Sequence, residues 1–210
     1  MPREPRHMLF DFGGPLLLTP FELRAVGAPR LGVTVDELPG GPFDPTDVRW
    51  RARQRGKITE RQYWTEQASR FDLTIPEYMR NFYEPSGDHL VRPITSALVD
   101  ELRLAGRQVA LLTNDITAFH GIEWQEPISV LKKISPIIDL SHTGYLKPHA
   151  KGFELAAASM GLDPDEIVFT DDHHDNAAAG AAVGFASVWF DITDVVGSVD
   201  RIRAALDRED

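Results

Sequence analysis

The chain has 210 residues, 42% of them apolar and 26% charged, with no cysteine. That length allows one domain with a modest insertion, and the missing thiols exclude disulfides, thiolate metal sites and cysteine nucleophiles. With 22 basic against 32 acidic residues the formal net charge is −10, which argues against non-specific binding to nucleic acid or an anionic membrane.

Residues Met1 to His7 are charged, and the apolar run that follows is broken by Asp11 and two glycines, so it does not read as a signal peptide. No apolar run approaches the about 18 residues of a membrane span. A soluble, cytoplasmic protein is the expectation. Met8 to Phe10 reads as a buried strand, and Asp11-Phe12-Gly13-Gly14 follows it at once. A carboxylate at the carboxyl end of such a strand sits where open parallel sheets bind ligands, and glycines there let the backbone approach one closely.

From Thr19 the pattern turns helical. Thr19-Pro20-Phe21-Glu22, Thr34 to Glu37 and Thr59 to Gln62 each look like a capped helix start. Leu38 to Pro45 holds three prolines and two glycines and reads as a loop. A further short helix is predicted from Thr74 through Tyr83. No convincing strand lies between Leu18 and Gln108, so this stretch is predicted to be an all-helical insertion. The α/β rhythm returns with a helix from Ile94 to Ala105 and a strand over Val109 to Leu112. Further strands are predicted near Ile137, at Ile167 to Thr170 and at Ser187 to Phe190. Helices are predicted over Ala150 to Met160, Asp175 to Val183 and about Ser198 to Arg208. This alternation implies an α/β fold, a Rossmann-like doubly wound parallel sheet with an inserted helical cap. Residues 1–18 and 90–210 are expected to form the core and 19–89 the cap, with hinges near Pro15 to Thr19 and Pro85 to Pro93.

Three strands end in polar residues that a buried strand does not need: Asp11, Thr113-Asn114 and Asp171-Asp172. Lys147-Pro148 precedes the helix at Ala150. Two carboxylates, a hydroxyl, backbone amides and a lysine converging on one crevice suit a phosphoryl group neutralised by Mg²⁺, which takes oxygen ligands.

Phe10-Asp11-Phe12-Gly13-Gly14, Leu112-Thr113-Asn114, Leu146-Lys147-Pro148 and Phe169-Thr170-Asp171-Asp172 with Asn176 resemble, in order and spacing, the four motifs of the haloacid dehalogenase superfamily. The stretch Arg55 to Glu60 is similar to a cap-helix start in the branch of sugar-1-phosphate phosphatases and the amino-terminal phosphatase domain of soluble epoxide hydrolases. The resemblance implies that Asp11 is a nucleophile forming an aspartyl-phosphate. It implies that Thr113, the Asn114 amide and the Gly14 backbone hold the phosphoryl group, and that Lys147 screens the nucleophile and stabilises transition-state charge. Mg²⁺ would rest on Asp11, the Gly13 carbonyl and Asp172, with Asp171 as a further metal carboxylate or as the group orienting Lys147 or the metal's waters. The implied substrate is a small phosphorylated metabolite, with a sugar 1-phosphate as one option. Neither nucleic acid nor membrane is an expected partner, and the oligomeric state is open.

One departure separates the chain from most phosphatases of the superfamily, which carry a general-acid aspartate two residues after the nucleophile. Here that position is Gly13. An aspartate installed there would add a proton donor, along with bulk and negative charge beside the phosphate. Three readings therefore stand side by side: a Mg²⁺-dependent phosphatase, a catalytically impaired protein binding a phosphorylated ligand or partner, and a 2-haloacid dehalogenase. The third fits least, because Asp171-Asp172 would repel a carboxylate substrate. His173 and His174 are read chiefly as solvent-facing residues at the next helix start, with a proton-donor role as the alternative. Arg49, Arg51, Arg53, Arg55, Lys57 and Arg61 are read as a solvated cap surface. Trp50, Tyr63, Trp64, Tyr78 and Phe82 are read as cap core. Trp124 is read as a loop anchor or as a wall of the site's mouth.

Overall fold

The computed structural model describes residues 6–114, 116–120 and 123–207. Met1 to Pro5, and Arg208 where the last helix was expected to end, lie outside the described residues. Leu18–Pro85 forms one compact unit, and the described residues on either side of it form the other.

The larger unit is built on five parallel strands: β1 (His7–Phe10), β2 (Val109–Thr113), β3 (Ile137–Asp139), β4 (Ile167–Asp171) and β5 (Ala186–Trp189). Their order is β3-β2-β1-β4-β5. Alternating side chains of a strand face opposite sides of a sheet, and both sides here are covered. Leu9, Ala110, Leu112 and Phe169 pack with Phe153, Ala156 and Phe185 in one buried cluster. Met8, Phe10, Leu111 and Val168, on the other side, are fully buried, as central parallel strands require.

The smaller unit holds α1 (Arg24–Leu31), α2 (Val48–Gln54), α3 (Glu60–Ser69) and α4 (Ile75–Tyr83). Its core is aromatic. Phe21 lies 4.8 Å from Trp50 and 5.1 Å from Trp64, ring centroid to centroid, and Tyr78 lies 5.1 Å from Phe82. The Asp47 carboxylate ties this core together: it caps α2 by accepting from the Trp50 N–H (2.8 Å) and also accepts from the Tyr63 hydroxyl (2.8 Å).

The remaining helices are α5 (Pro93–Leu104), α6 (Ile116–His120), α7 (Ala150–Met160), α8 (His174–Val183) and α9 (Val195–Leu206). Helices α5 and α9 pack on one side of the sheet, and α7 and α8 on the other.

The helix starts need correction. The Thr19–Glu22 box is made, with the Thr19 N–H and hydroxyl both 2.9 Å from the Glu22 carboxylate. It closes a single turn, and α1 begins only at Arg24. Thr34 opens just a 3₁₀ turn, Val35–Glu37, because Pro39 and two glycines follow before a helix can propagate. The basic run is split, since α2 ends at Gln54 and Gly56 turns at φ +66°. The last helix starts at Val195, with Asp194 capping through the Gly197 N–H (3.1 Å).

Gly180 decides how closely α8 lies on the sheet. A methyl group there would sit 2.7 Å from Phe169 Cδ1 and 2.8 Å from Ser187 Oγ. Alanine in a helix normally gains up to about 1 kcal/mol over glycine, whereas overpacking costs about 1–3 kcal/mol. Gly180→Ala is therefore expected to lower the urea midpoint at unchanged slope. A raised midpoint would show that α8 rides more loosely than this.

Candidate active site

The chain adds β2 and β3 on one side of β1, then crosses to add β4 and β5 on the other. The carboxyl ends of β1, β2 and β4 thus meet at the reversal point, where open sheets leave a crevice. Asp11 stands at the end of β1, and its N–H donates to the Thr170 carbonyl of β4 (2.8 Å).

Lys147 is the hub. Its ammonium donates to Asp11 Oδ1 (2.6 Å), Asp171 Oδ2 (2.8 Å) and the Leu112 carbonyl (3.0 Å). Those are all the protons an ammonium has, and only 2% of the side chain is exposed. Asn114 holds the lysine's backbone at two points. Its side-chain oxygen accepts from the Lys147 N–H (2.7 Å), and its amide donates to the Lys147 carbonyl (3.2 Å).

Asp171 and Asp172 are neighbours with different surroundings. Asp171 is fully buried. Its Oδ1 accepts from the His173 N–H (2.8 Å) and Asn176 (3.1 Å), and its Oδ2 from Lys147 and Asn176 (3.0 Å). Asp172 is 14% exposed at its side chain and Asp11 13%. Oxygens of Asp11, Asp171 and Asp172 lie within 4.8 Å of one another.

The charges follow from this placement. Burial pushes the Asp11 carboxyl up to about 8, with Asp171 and Asp172 adding to the effect and Lys147 opposing it. Burial acts on Asp171 in the same sense, but Lys147, His173 and the hydrogen bonds hold it below the usual carboxylate range. Burial works to lower Lys147, and the two carboxylates outweigh it and hold the ammonium charged.

The two glycines differ. Gly14 takes φ +83°, and a Cβ there would fall 2.7 Å from Asp172 Cγ, so its missing side chain is what lets Asp172 approach. Gly13 has an ordinary φ, and a Cβ there would meet no neighbour within 4 Å. Among the described residues, no hydrogen bond of the turn ends on the Gly13 carbonyl, whereas the carbonyls of Phe12, Gly14, Leu16 and Leu17 all accept one.

Asp11, Thr113, Asn114, Lys147, Asp171 and Asp172 thus share one sheet edge. Trp124 is 8% exposed, stacks on His120 at 4.0 Å and stands edge-on to Phe12 at 6.2 Å, which makes it an anchor. Burial brings the His120 imidazole down to about 4. The histidine pair departs from expectation. His173 turns toward the site, with Nε2 3.7 Å from Asp172 Oδ1 and 17% of its side chain exposed. His174 is exposed and stacks on Trp189 at 4.0 Å. The sequence reading missed two supports. Asn176 was only a motif position, and Trp189, which donates to the Asp172 carbonyl (2.9 Å), signals itself only by ending β5.

A family model described as haloacid dehalogenase-like hydrolase matches residues 6–184. The chain belongs to that family. It is 23% identical over 204 residues to acyl-CoA dehydrogenase family member 10 of Mus musculus, a match that takes in 90% of this chain and 18% of that far longer protein. Among solved structures it is similar to an L-2-haloacid dehalogenase, with a TM-score of 0.63 at 17% identity over 90% of this chain and 87% of that one. It is also similar to a family enzyme of Bacteroides thetaiotaomicron, solved as an aspartate-to-alanine variant with magnesium and inorganic phosphate. That TM-score is 0.54, at 18% identity over 90% and 95% of the two chains. At such identities the structural likeness speaks for the fold of this hydrolase. No helix among its described residues is long and apolar enough to cross a membrane.

Neutralising one carboxylate at a time separates their roles. Asp171→Asn turns an amide toward three donors around a buried ammonium and is expected to cost about 3 kcal/mol or more. Asp11→Asn removes a charge that its surroundings disfavour, and is expected to stay within about 1 kcal/mol of the parent or to gain stability. Urea unfolding of both variants, free of metal, checks this, and the reverse order would contradict it.

Proposed function

We propose that the protein is a Mg²⁺-dependent phosphatase of a small phosphorylated metabolite, with Asp11 as nucleophile. The observation that carries this reading is the carboxylate trio Asp11, Asp171 and Asp172, whose oxygens lie within 4.8 Å of one another beside the buried Lys147 ammonium. With Asp11 ionised, as a nucleophile must be, three carboxylates face one ammonium and the sheet edge is net negative, which is the same crowding that pushes the Asp11 carboxyl up to about 8. A phosphate would be repelled there unless a hard cation came with it.

The residues fit such a cation. Asp171 spends both oxygens on four hydrogen bonds, which supports a role in holding Lys147 in place. Asp11, Asp172 and the Gly13 carbonyl are the oxygens that would hold Mg²⁺. Bound there, the ion would supply charge neutralisation for the phosphoryl oxygens.

The chain's own residues supply the rest. An Asp11 carboxylate oxygen attacks phosphorus, the new O–P bond forming as the bond to the leaving oxygen breaks. Lys147 keeps Asp11 aimed and takes up developing charge, with Thr113 and the Asn114 backbone as phosphoryl contacts. The expected Gly14 contact falls away, because the Gly14 N–H is already given to the Leu17 carbonyl (3.0 Å). Water then attacks the aspartyl-phosphate at phosphorus, which releases phosphate and restores Asp11. The helical unit Leu18–Pro85 follows the Asp11 turn directly in the chain and is read as the cap that governs substrate choice.

Gly13 narrows the substrate. With no acid at that position, leaving groups that depart as weak bases, such as those of sugar 1-phosphates and acyl phosphates, are favoured. The rate with Mg²⁺ is expected to fall steeply as leaving-group pKa rises. Gly13→Asp places its Cβ without a close neighbour, and is expected to raise turnover of alkyl phosphates by about 10²-fold or more and to flatten the slope. Asp11→Asn is expected to abolish turnover across the series. A shallow slope in the parent, or turnover that survives Asp11→Asn, would contradict the reading. Failure to turn over even aryl or acyl phosphates would favour a binding protein, and halide release from 2-haloacids would favour a dehalogenase.

A further inference from the structure

The turn after β1 has to hold its shape against Asp172. Within it the Leu16 and Leu17 N–H groups donate to the Phe12 carbonyl (3.3 and 2.9 Å), and the Gly14 N–H donates to the Leu17 carbonyl (3.0 Å). These bonds set the turn's internal shape, but none of them ties it to the rest of the sheet edge. Among the described residues, two of the hydrogen bonds that reach the turn from outside come from one residue far along the chain.

Arg92 is the residue just before α5 and is 5% exposed. Its backbone N–H donates to the Leu16 carbonyl (2.8 Å), and its side-chain Nε donates to the Gly14 carbonyl (2.9 Å) in a buried hydrogen bond. Its guanidinium also lies over the Phe190 ring, 5.7 Å from the centroid. A buried guanidinium is costly unless its donors are used, and one of these donors is spent on the turn after β1. The position of the accepted carbonyl matters. Gly14 is the residue whose backbone presses on the Asp172 side chain, at a spacing that excludes even a methyl group. Displacing Gly14 would change the gap between the Gly13 carbonyl and the Asp172 carboxylate.

We propose that Arg92 is a positioning residue for the cation-binding corner, its side-chain bond to the Gly14 carbonyl holding the turn at the spacing from Asp172 that Mg²⁺ requires. This rests on the Mg²⁺ reading given above. In this role Arg92 acts through Gly14 rather than on the reacting atoms.

The test compares Arg92→Met, which keeps the stem and removes the donors, with Arg92→Lys, which restores a donor of similar reach. Two readouts are taken on the full chain: amide hydrogen exchange of the segment from Phe12 to Leu17 without metal, and Mg²⁺ affinity from thermal-shift titration with the metal alone. Arg92→Met is expected to speed exchange across that segment several-fold while the β4 amides stay protected. It is expected to weaken Mg²⁺ affinity by about 10–100-fold, with Arg92→Lys recovering part of both. Gly180→Ala serves as a destabilised control remote from the turn, expected to leave the affinity unchanged. Unchanged exchange in both Arg92 variants would overturn the proposal, and so would faster exchange with unaltered Mg²⁺ affinity. Equal loss of affinity in Gly180→Ala would overturn it too, by reducing the effect to general instability. If the parent protein shows no response to Mg²⁺, the metal reading fails and this proposal with it. An Mg²⁺ response that ignores Arg92 removes this proposal alone.

Discussion

One ammonium buried between two carboxylates governs the site. Lys147 has 2% of its side chain exposed and gives all three protons to Asp11, Asp171 and the Leu112 carbonyl. Taking such charges out of water costs several kcal/mol per ion, and only a complete set of partners offsets it. The surrounding residues are those partners. Asn176 and the His173 N–H fill the remaining positions on Asp171, and Asn114 grips the Lys147 backbone from the next strand. Any one missing bond leaves a buried charge unmet, so the strand ends of β1, β2 and β4 are locked together by electrostatics as well as by the sheet.

That lock divides the carboxylates into two kinds. Asp171 is consumed by structure. Asp11 is held by one oxygen to Lys147, and the Asp172 backbone is held by Trp189; both side chains stay partly exposed, at 13% and 14%. The two glycines divide in the same way. Gly14 is there because no side chain fits between the turn and Asp172. A Cβ at Gly13 would meet no neighbour within 4 Å. Crowding at the Cβ therefore does not account for the absent acid.

Much of the fold was legible because its signals are local. The buried runs at Met8, Val109 and Ile167 and the glycines ending α7 and α8 mark strands and helix ends directly. Helix starts in Leu18–Pro85 were read less well, since a capping box closes one turn whether or not a helix follows, and prolines downstream decide the rest. In the site, motif spacing singled out Asp11, Lys147 and Asp172, and the fold brings them together: Asp11 and Asp172 follow the ends of the neighbouring strands β1 and β4, and Lys147 reaches Asp11 from the loop after β3. What spacing could not reveal was the distribution of hydrogen bonds. That Asp171 takes four hydrogen bonds, that the Asn114 side chain serves Lys147, that His173 turns inward, and that Arg92 reaches Gly14 from 78 residues away all depend on three-dimensional packing. Nothing in the linear pattern around Arg92 beyond an Arg-Pro helix start pointed to it.

The account stands on Asp11 becoming covalently phosphorylated. The most direct measurement is the mass of the protein quenched in acid during turnover of an aryl phosphate with Mg²⁺, followed by peptide mapping. The account predicts a single phosphoryl adduct on Asp11 that forms within the first turnover and disappears when substrate is exhausted. Steady turnover with no adduct, or an adduct on any other residue, would contradict it.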